Sequence, residues 1–93
     1  MRNIVFTSNS YTDFIEWSQT DKKVFARIDE LIKCIRRTPF AGIGKPEPLK
    51  HGLAGFWSRR INEKHRLVYR LNAEDEVEIA SCKNHYPYDK SFQ

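Results

Sequence analysis

FWSRRINEKHRLVYRLNAEDEVEIASCKNHY, residues 56–86, is the stretch of this chain that decides its fold. Three runs in it, 56–61, 65–71 and 77–86, are rich in β-branched and aromatic residues and have strand-like length. The two connections between them, NEK and NAEDE, are short and polar. Because consecutive strands with such short connections pair in opposite directions, the stretch predicts an antiparallel meander.

A helix with strong periodicity lies upstream of the meander, in DKKVFARIDELIKCIRR at residues 21–37. Thr20 and Asp21 supply a start signal, and Thr38 with Pro39 supplies a stop. Five apolar residues recur at helical spacing between these signals: Val24, Ile28, Leu31, Ile32 and Ile35. The pattern predicts a helix whose apolar face lies against a core.

The N-terminal 20 residues predict one more strand and one more helix. RNIVFT at 2–7 is rich in β-formers, and Ser10 with Asp13 resembles a capping box that opens a helix over 10–19. Four residues of that helix are expected to face the core: Tyr11, Phe14, Ile15 and Trp17. The resulting order β-α-α-β-β-β predicts an α+β fold, in which two N-terminal-half helices pack on one face of a twisted antiparallel sheet.

Size and composition limit the class of protein. A chain of 93 residues has material for one core, so we expect a single domain over 1–93. The longest early apolar run, Ile4-Val5-Phe6, is too short for a signal peptide or a membrane span. Cys34 and Cys82 have no CxxC or zinc-like spacing. We therefore expect a cytoplasmic protein with reduced thiols, no metal, no other cofactor and no membrane partner.

The charge of the chain is concentrated in its middle. The net charge is +4, yet residues 36–66 contain eight basic residues and only two acids. Such a basic region predicts a polyanionic ligand, because neutralised phosphates release counterions. A solvated basic surface without a ligand is the alternative.

The segment 40–55 is interrupted by glycines and prolines and shows neither a strand nor a helix period, which is typical of a long functional loop. Within KPEPLK at 45–50, Glu47 lies between two prolines that force an extended, stiff backbone. A stiff backbone suits a positioned catalytic group. The alternative is a carboxylate that only balances Lys45 and Lys50. The GIGK run at 42–45 lacks the spacing of a phosphate-binding loop.

Arginines alternate with apolar residues in the first two runs of the meander. Alternation places Arg59 on the face of Trp57 and Ile61, with Arg60 on the opposite face. Such arginines could offer guanidinium groups to phosphate. For Arg59 and Arg70, a simple exposed position is the alternative.

The pair His85-Tyr86 ends the last run and joins a group that titrates near neutrality to a ring on which a base could stack. A structural role is the alternative for His85, as it is for His51 and His65.

RRTPFAGIGKPEPLKHGLAGFWSRRINEKHRLVYRL, residues 36–71, together with the closing His-Tyr pair, closely resembles the YoeB toxins of the RelE/ParE superfamily. The resemblance extends over 4–86. It implies a RelE-like microbial RNase fold and the toxin of a type II toxin-antitoxin system. Such a toxin enters the ribosomal A site and cuts translated mRNA by metal-independent attack of the 2′-hydroxyl. The implied partners are the ribosome, mRNA, a YefM/Phd-type antitoxin and a second copy of the chain.

The resemblance also implies roles for individual residues. Glu47 is like the general base, Arg66 like the phosphate clamp and His85 like the general acid, although residue types alone leave the acid and base open to exchange. The implied substrate-binding residues are Tyr86, which stacks on or positions the substrate, and the basic residues Lys50 and Arg60. Lys45 and Arg59, in the same basic region, are added to them. Residues 87–93 form a short C-terminal extension beyond the pair at which close relatives end.

Two other functions are compatible with the same sequence. A basic module that binds RNA or the ribosome could block translation by occlusion without cutting. A protein-interaction domain could use its basic face for an acidic partner alone. Loss of cleavage with retained ribosome binding in a Glu47 variant separates the enzyme from the first of these.

Overall fold

The computed structural model describes residues 1–84, and these confirm the α+β class. The strands are β1 (Ile4–Phe6), β2 (Glu47–Pro48), β3 (Trp57–Arg60), β4 (Arg66–Leu71) and β5 (Val77–Ser81). The helices are α1 (Ser8–Thr20) and α2 (Lys22–Arg37), and a 3₁₀ turn lies at His51–Leu53. The predicted order of elements is therefore present, with β2 and the 3₁₀ turn added inside the segment expected to be a loop.

The five strands form one sheet in the order β1-β5-β4-β3-β2. Neighbours from β2 to β5 run antiparallel, which confirms the meander. β1 pairs parallel to β5, so the expectation of a wholly antiparallel sheet was wrong at this edge. Short connections predict only the pairing of consecutive strands. The partner of β1 lies about 70 residues away in sequence and is joined through both helices, so no local pattern indicates its direction.

The core lies between α2 and one face of the sheet. All five periodic apolar residues of α2 are buried, as predicted: Val24, Ile28, Leu31, Ile32 and Ile35. They pack in one cluster with Leu67 and Tyr69 of β4 and Val77 and Ile79 of β5. Each such side chain contributes about 1.5–3 kcal/mol relative to an exposed position. The Asp21 side chain caps α2 by accepting a hydrogen bond from the Val24 backbone N–H.

α1 begins two residues earlier than expected. Thr7, not Ser10, is its N-cap, and the Thr7 hydroxyl accepts a hydrogen bond from the Ser10 N–H. Ser10 is fully buried and donates through Oγ to the Ile79 carbonyl at 2.7 Å. Ser10 thus lies on the helix face that meets the sheet, one turn before Phe14.

The same placement explains which of the four expected residues of α1 reach the core. Phe14 and Trp17 pack against it, as expected. Tyr11 and Ile15 are 55% and 36% exposed, so the expectation that they face the core was wrong. With 3.6 residues per turn, positions 10, 14 and 17 share a face and leave 11 and 15 at its edge.

In residues 1–84, neither helix has the combination of length and apolar content that a bilayer crossing requires.

Candidate active site

The sheet face opposite the helices carries two of the predicted catalytic side chains, Glu47 and Arg66, and one predicted substrate-binding side chain, Arg60. Glu47 of β2 pairs with Ser58 of β3, and Arg60 of β3 pairs with Arg66 of β4. Directly paired residues of antiparallel strands project from the same face, and so do residues two apart in one strand. Glu47, Arg60 and Arg66 therefore share this face, which we call the open face.

The spacing on the open face suits one ligand held between several side chains. Glu47 and Arg66 are separated by two strand intervals and by two residues along the strand. Standard strand geometry then puts their Cα atoms about 12 Å apart. Long glutamate and arginine side chains can meet across that distance on either side of a phosphodiester group.

Arg60 of β3 and Arg66 of β4 are directly paired on adjacent strands. Like charges in this position destabilise a sheet. Neither guanidinium forms an ion pair with a carboxylate in residues 1–84, where the five ion pairs all lie elsewhere. Two facing guanidinium groups that pair with no carboxylate of the described residues form a site at which an anion would relieve their repulsion.

Glu47 lies on an edge strand that is anchored close to the core. The preceding Gly44 has φ 83°, and a Cβ there would lie 2.7 Å from Leu31 Cδ2, so only glycine fits this turn. The Gly44 carbonyl accepts the Arg60 N–H at 2.7 Å, and the Leu49 N–H donates to the Phe56 carbonyl at 2.9 Å. These two bonds hold the chain on both sides of Glu47.

The Glu47 carboxylate is exposed and forms neither a hydrogen bond nor an ion pair with the described part of the chain. Lys45 and Lys50 are exposed as well, and neither lies within ion-pair distance of it. The interpretation of Glu47 as a charge that merely balances these lysines has no support in this geometry.

Arg66 is oriented by the turn that precedes its strand. Its NH1 donates to the carbonyls of Asn62, Glu63 and His65 at 2.8, 3.2 and 3.2 Å. The Asn62 side chain closes the turn by accepting the N–H groups of Lys64 and His65 at 3.0 and 2.8 Å. One edge of the guanidinium is thus fixed before any ligand arrives.

Arg59 does not belong to the open face, and its prediction as a substrate-binding residue was wrong. It is fully buried beneath the segment 38–43, and the alternative of a simple exposed arginine was wrong too. NH1 donates to the Ile43 carbonyl at 3.0 Å, and NH2 to the Thr38 and Ala41 carbonyls at 2.7 and 2.9 Å. Nε donates to the Tyr69 hydroxyl at 3.1 Å. The alternation that grouped Arg59 with Trp57 and Ile61 already pointed to this inner face.

Arg70 fits the simpler of its two interpretations. It is exposed, its Nε lies 3.3 Å from the Glu78 carboxylate, and its guanidinium covers the Phe56 ring at 5.3 Å. Next to it is a cleft of about 600 Å³, whose lining includes Leu53, Phe56, Glu78 and Asn84 but not Glu47, Arg60 or Arg66.

The end of β5 is tied to the same turn that orients Arg66. The Asn84 N–H donates to His65 Nδ1 at 2.8 Å, and the Asn84 carbonyl accepts the Arg66 N–H at 2.8 Å. The structural role that the sequence offered for His65 is the one observed, and Asn62 three residues earlier indicates the Asx turn that holds it. His85, Tyr86 and the extension 87–93 lie outside the described residues.

The two cysteines are free thiols in different surroundings. Cys82 is buried, and burial raises the pKa of its thiol to about 12. Cys34 is half-buried beside Arg59 NH1 at 3.1 Å. Residues 1–84 contain no cluster of three or more His, Cys, Asp or Glu side chains that could hold a metal ion.

Solved structures similar to this chain include bacterial toxins. The YoeB/ParE toxin from Agrobacterium tumefaciens superposes with a TM-score of 0.86 at 46% identity, covering 90% of this chain and 99% of that one. YoeB from Staphylococcus aureus has been solved as a dimer, with a TM-score of 0.84 at 48% identity over 91% of this chain and 98% of that one. It has also been solved as a YoeB-YefM complex, with a TM-score of 0.84 at 46% identity over 92% of this chain and 99% of that one.

The sequence agrees with the structural match. Toxin YoeB of Escherichia coli strain K12 is 54% identical over 83 residues, which is 89% of this chain and 98% of that toxin. The family model of the YoeB-like toxins of bacterial type II toxin-antitoxin systems matches residues 6–86. The chain belongs to this family, which confirms the resemblance.

Proposed function

We propose that this YoeB-family toxin is a ribosome-dependent endoribonuclease that cuts translated mRNA in the A site and so stops translation in the cytoplasm. The observation that carries the proposal is the open face itself. An exposed, unpaired carboxylate and two facing arginines without an acid partner project from three adjacent strands of the described chain, 1–84. This combination suits a phosphodiester that must be both held and attacked.

The proposed reaction uses the 2′-hydroxyl of RNA as its nucleophile. Glu47 takes the proton of this hydroxyl, whose oxygen bonds to phosphorus while the bond to the 5′-oxygen breaks. Arg66 stabilises the additional negative charge on the phosphoryl oxygens, and His85 gives a proton to the departing 5′-oxygen. The products are a cyclic 2′,3′-phosphate and a free 5′-hydroxyl. Every step is assigned to a side chain, so the reaction is proposed to be metal-independent.

The remaining predicted residues would hold the RNA. Arg60 lies opposite Arg66 and would bind the same phosphate from the next strand. Lys45 and Lys50 flank Glu47 in sequence and would bind neighbouring phosphates of the RNA backbone. Tyr86 is proposed to stack on a base or position it.

The relatives indicate the partners. YoeB of S. aureus has been solved as a dimer and with YefM, and we propose the same two kinds of partner for this chain: a second copy and a YefM/Phd-type antitoxin. An acidic and apolar antitoxin segment would mask the open face, because it offers carboxylates to Arg60 and Arg66 in place of phosphate.

Primer extension on mRNA translated in a cell-free system tests the proposal. We expect cuts inside ribosome-occupied codons that persist when a chelator is present. Glu47→Gln should keep its affinity for ribosomes while cleavage slows by about 10² to 10⁴-fold. Glu74→Gln removes another exposed glutamate, on the β4–β5 turn away from the open face, and should cut at the wild-type rate.

Occlusion without cleavage is the second candidate function, because the basic residues of the open face could by themselves hold RNA. It predicts that Glu47→Gln blocks translation as strongly as the wild type. A translational block without cut mRNA in the wild-type reaction would replace the proposed endonuclease by this simpler function.

A further inference from the structure

His65 is a buried titratable side chain that the proposed reaction does not use. Its exposure is 9%, and it lies in the turn just before β4. The ring packs edge-on against Trp17, with ring centres 4.9 Å apart at 73°. The backbone N–H of His65 is bound by the Asn62 side chain at 2.8 Å, so both the backbone and the ring are fixed.

The His65 ring takes the place of a sheet hydrogen bond where β5 has ended. Its Nδ1 accepts the Asn84 N–H at 2.8 Å, and the next residue, Arg66, donates its own N–H to the Asn84 carbonyl at 2.8 Å. Both backbone polar groups of Asn84 are therefore tied to one dipeptide. Asn84 has φ 65°, a left-handed conformation that asparagine adopts more readily than most other non-glycine residues.

A second contact supports the same segment from α1. The Trp17 indole N–H donates to the Cys82 carbonyl at 2.9 Å, while its ring contacts His65. The Lys83 ammonium lies 5.8 Å from the centre of the Trp17 ring and 2.9 Å from the Glu16 carboxylate. The whole run 82–84 is thus attached to the turn and to α1 as it leaves β5.

We propose that His65 is a positioning residue for cleavage: its neutral ring fixes the backbone of Asn84, and thereby the point from which the chain continues into His85, relative to the Arg66 guanidinium. The inference rests on the proposed function. Arg66 is the neighbour of His65 in sequence and bonds the same Asn84. One short turn therefore carries the phosphate clamp and the anchor of the segment that leads to the proposed general acid.

The hydrogen bond from the Asn84 N–H to the His65 ring requires one tautomer of the ring. Nδ1 accepts a hydrogen bond only when it carries no proton, which places the proton of the neutral ring on Nε2. Burial first, and then the charges of Lys64 and Lys83, lower the pKa of His65, while Asp21 opposes them. The surroundings of the ring thus favour the neutral form that the bond to Asn84 needs.

Two substitutions of similar shape test whether His65 acts as a hydrogen-bond acceptor at Nδ1 or only fills space. His65→Asn places an amide oxygen where Nδ1 was, whereas His65→Gln places it where Nε2 was. We expect His65→Asn to keep cleavage near the wild-type rate. His65→Gln should lower kcat by up to about 10²-fold with little change in KM, because the reacting groups are misplaced while the RNA is still bound. Melting temperatures of both variants show whether each one folds.

Two NMR measurements test the hydrogen bond between Asn84 and His65 without an activity assay. The Asn84 amide should exchange slowly with solvent in the wild type and in His65→Asn, and much faster in His65→Gln. The ring nitrogens of wild-type His65 should report a neutral ring protonated on Nε2 at neutral pH.

A ring protonated on Nδ1 would overturn the proposal, and so would wild-type kcat in a folded His65→Gln variant. A wild-type protein that cuts no mRNA would instead overturn the proposed function, while the Asn84 exchange rates would still decide whether the anchor exists.

Discussion

Arg59 and Arg60 are neighbours in sequence with opposite environments. Arg59 is fully buried and saturated with hydrogen bonds, and Arg60 is exposed on the open face. Successive side chains of a strand point to opposite faces, so Arg59 points into the core and Arg60 points into solvent. Only the position of Arg60 permits contact with RNA. The buried guanidinium of Arg59 instead satisfies carbonyls of the segment that leads to Glu47.

The same substitution at these two arginines should therefore have different effects. Arg59→Leu removes the buried guanidinium that donates to the Thr38, Ala41 and Ile43 carbonyls and to the Tyr69 hydroxyl, and we expect the free energy of unfolding to fall by about 3 kcal/mol or more. Arg60→Leu should change it by no more than about 0.5 kcal/mol and should slow cleavage instead. Urea titrations of both variants measure the difference. Equal unfolding midpoints would contradict this assignment.

At the scale of elements, the turn between β3 and β4 concentrates several roles in a few residues. Asn62 binds two N–H groups with its side chain, and its carbonyl is one of three that orient Arg66. Asn62→Ala removes both side-chain bonds, so we expect a loss of about 1–2 kcal/mol, seen as a melting temperature lower by about 4–8 °C per kcal/mol. Cleavage should fall as well, because Arg66 no longer has its fixed orientation.

Asn62→Asp is the matched control for this turn, since a carboxylate keeps an acceptor in the same place. It should melt within a few degrees of the wild type. If Asn62→Ala and Asn62→Asp melt together at the wild-type temperature, the side-chain bonds of Asn62 contribute nothing to the turn.

Individual elements show how far the sequence predicts this fold. α2 is predictable almost to the residue, because its capping residue Asp21, its apolar period and Pro39 are all local signals. The meander follows from short connections. The direction of β1 and the start of α1 do not follow, because both depend on contacts with β5 that are remote in sequence, including the bond from Ser10 to Ile79.

The candidate site is predictable to a similar degree. Residue types and the family resemblance indicate Glu47 and Arg66, and the register between strands places them on one face. The anchoring position of His65 is not predictable, because its partner Asn84 becomes its neighbour only when β5 returns beside β4.

At the scale of the whole molecule, Arg60 and Arg66 of the basic middle lie on the open face, and the salt dependence of binding should reveal which exposed cations bind phosphate. A substitution that removes one phosphate-binding cation lowers the slope of log K against log salt by about 0.7 to 1. We expect Lys50→Gln to lower the slope of ribosome or RNA binding by this amount. Lys33→Gln is the control, because Lys33 lies on α2 and pairs with Asp29 at 3.0 Å. Equal slopes for the two variants would place Lys50 outside the RNA path.

The stability of the whole domain should depend on pH through His65. Its pKa is lowered in the folded state by burial, whereas the unfolded chain binds the same proton with an ordinary pKa of about 6.5. Below pH of about 6.5 the unfolded state therefore holds more protons than the folded state, and the free energy of unfolding falls until the pH reaches the lower folded pKa. Above pH of about 6.5 the contribution of His65 to the free energy of unfolding is complete.

Urea unfolding from about pH 8 to about pH 5 should show this decline in the wild type and a smaller one in His65→Asn, which keeps the acceptor for Asn84 but cannot titrate. The other titrating groups are the same in the two proteins, so their effects cancel in the comparison. If the free energy of unfolding changed with pH in parallel for both, His65 would bind its proton equally well in the folded and unfolded states.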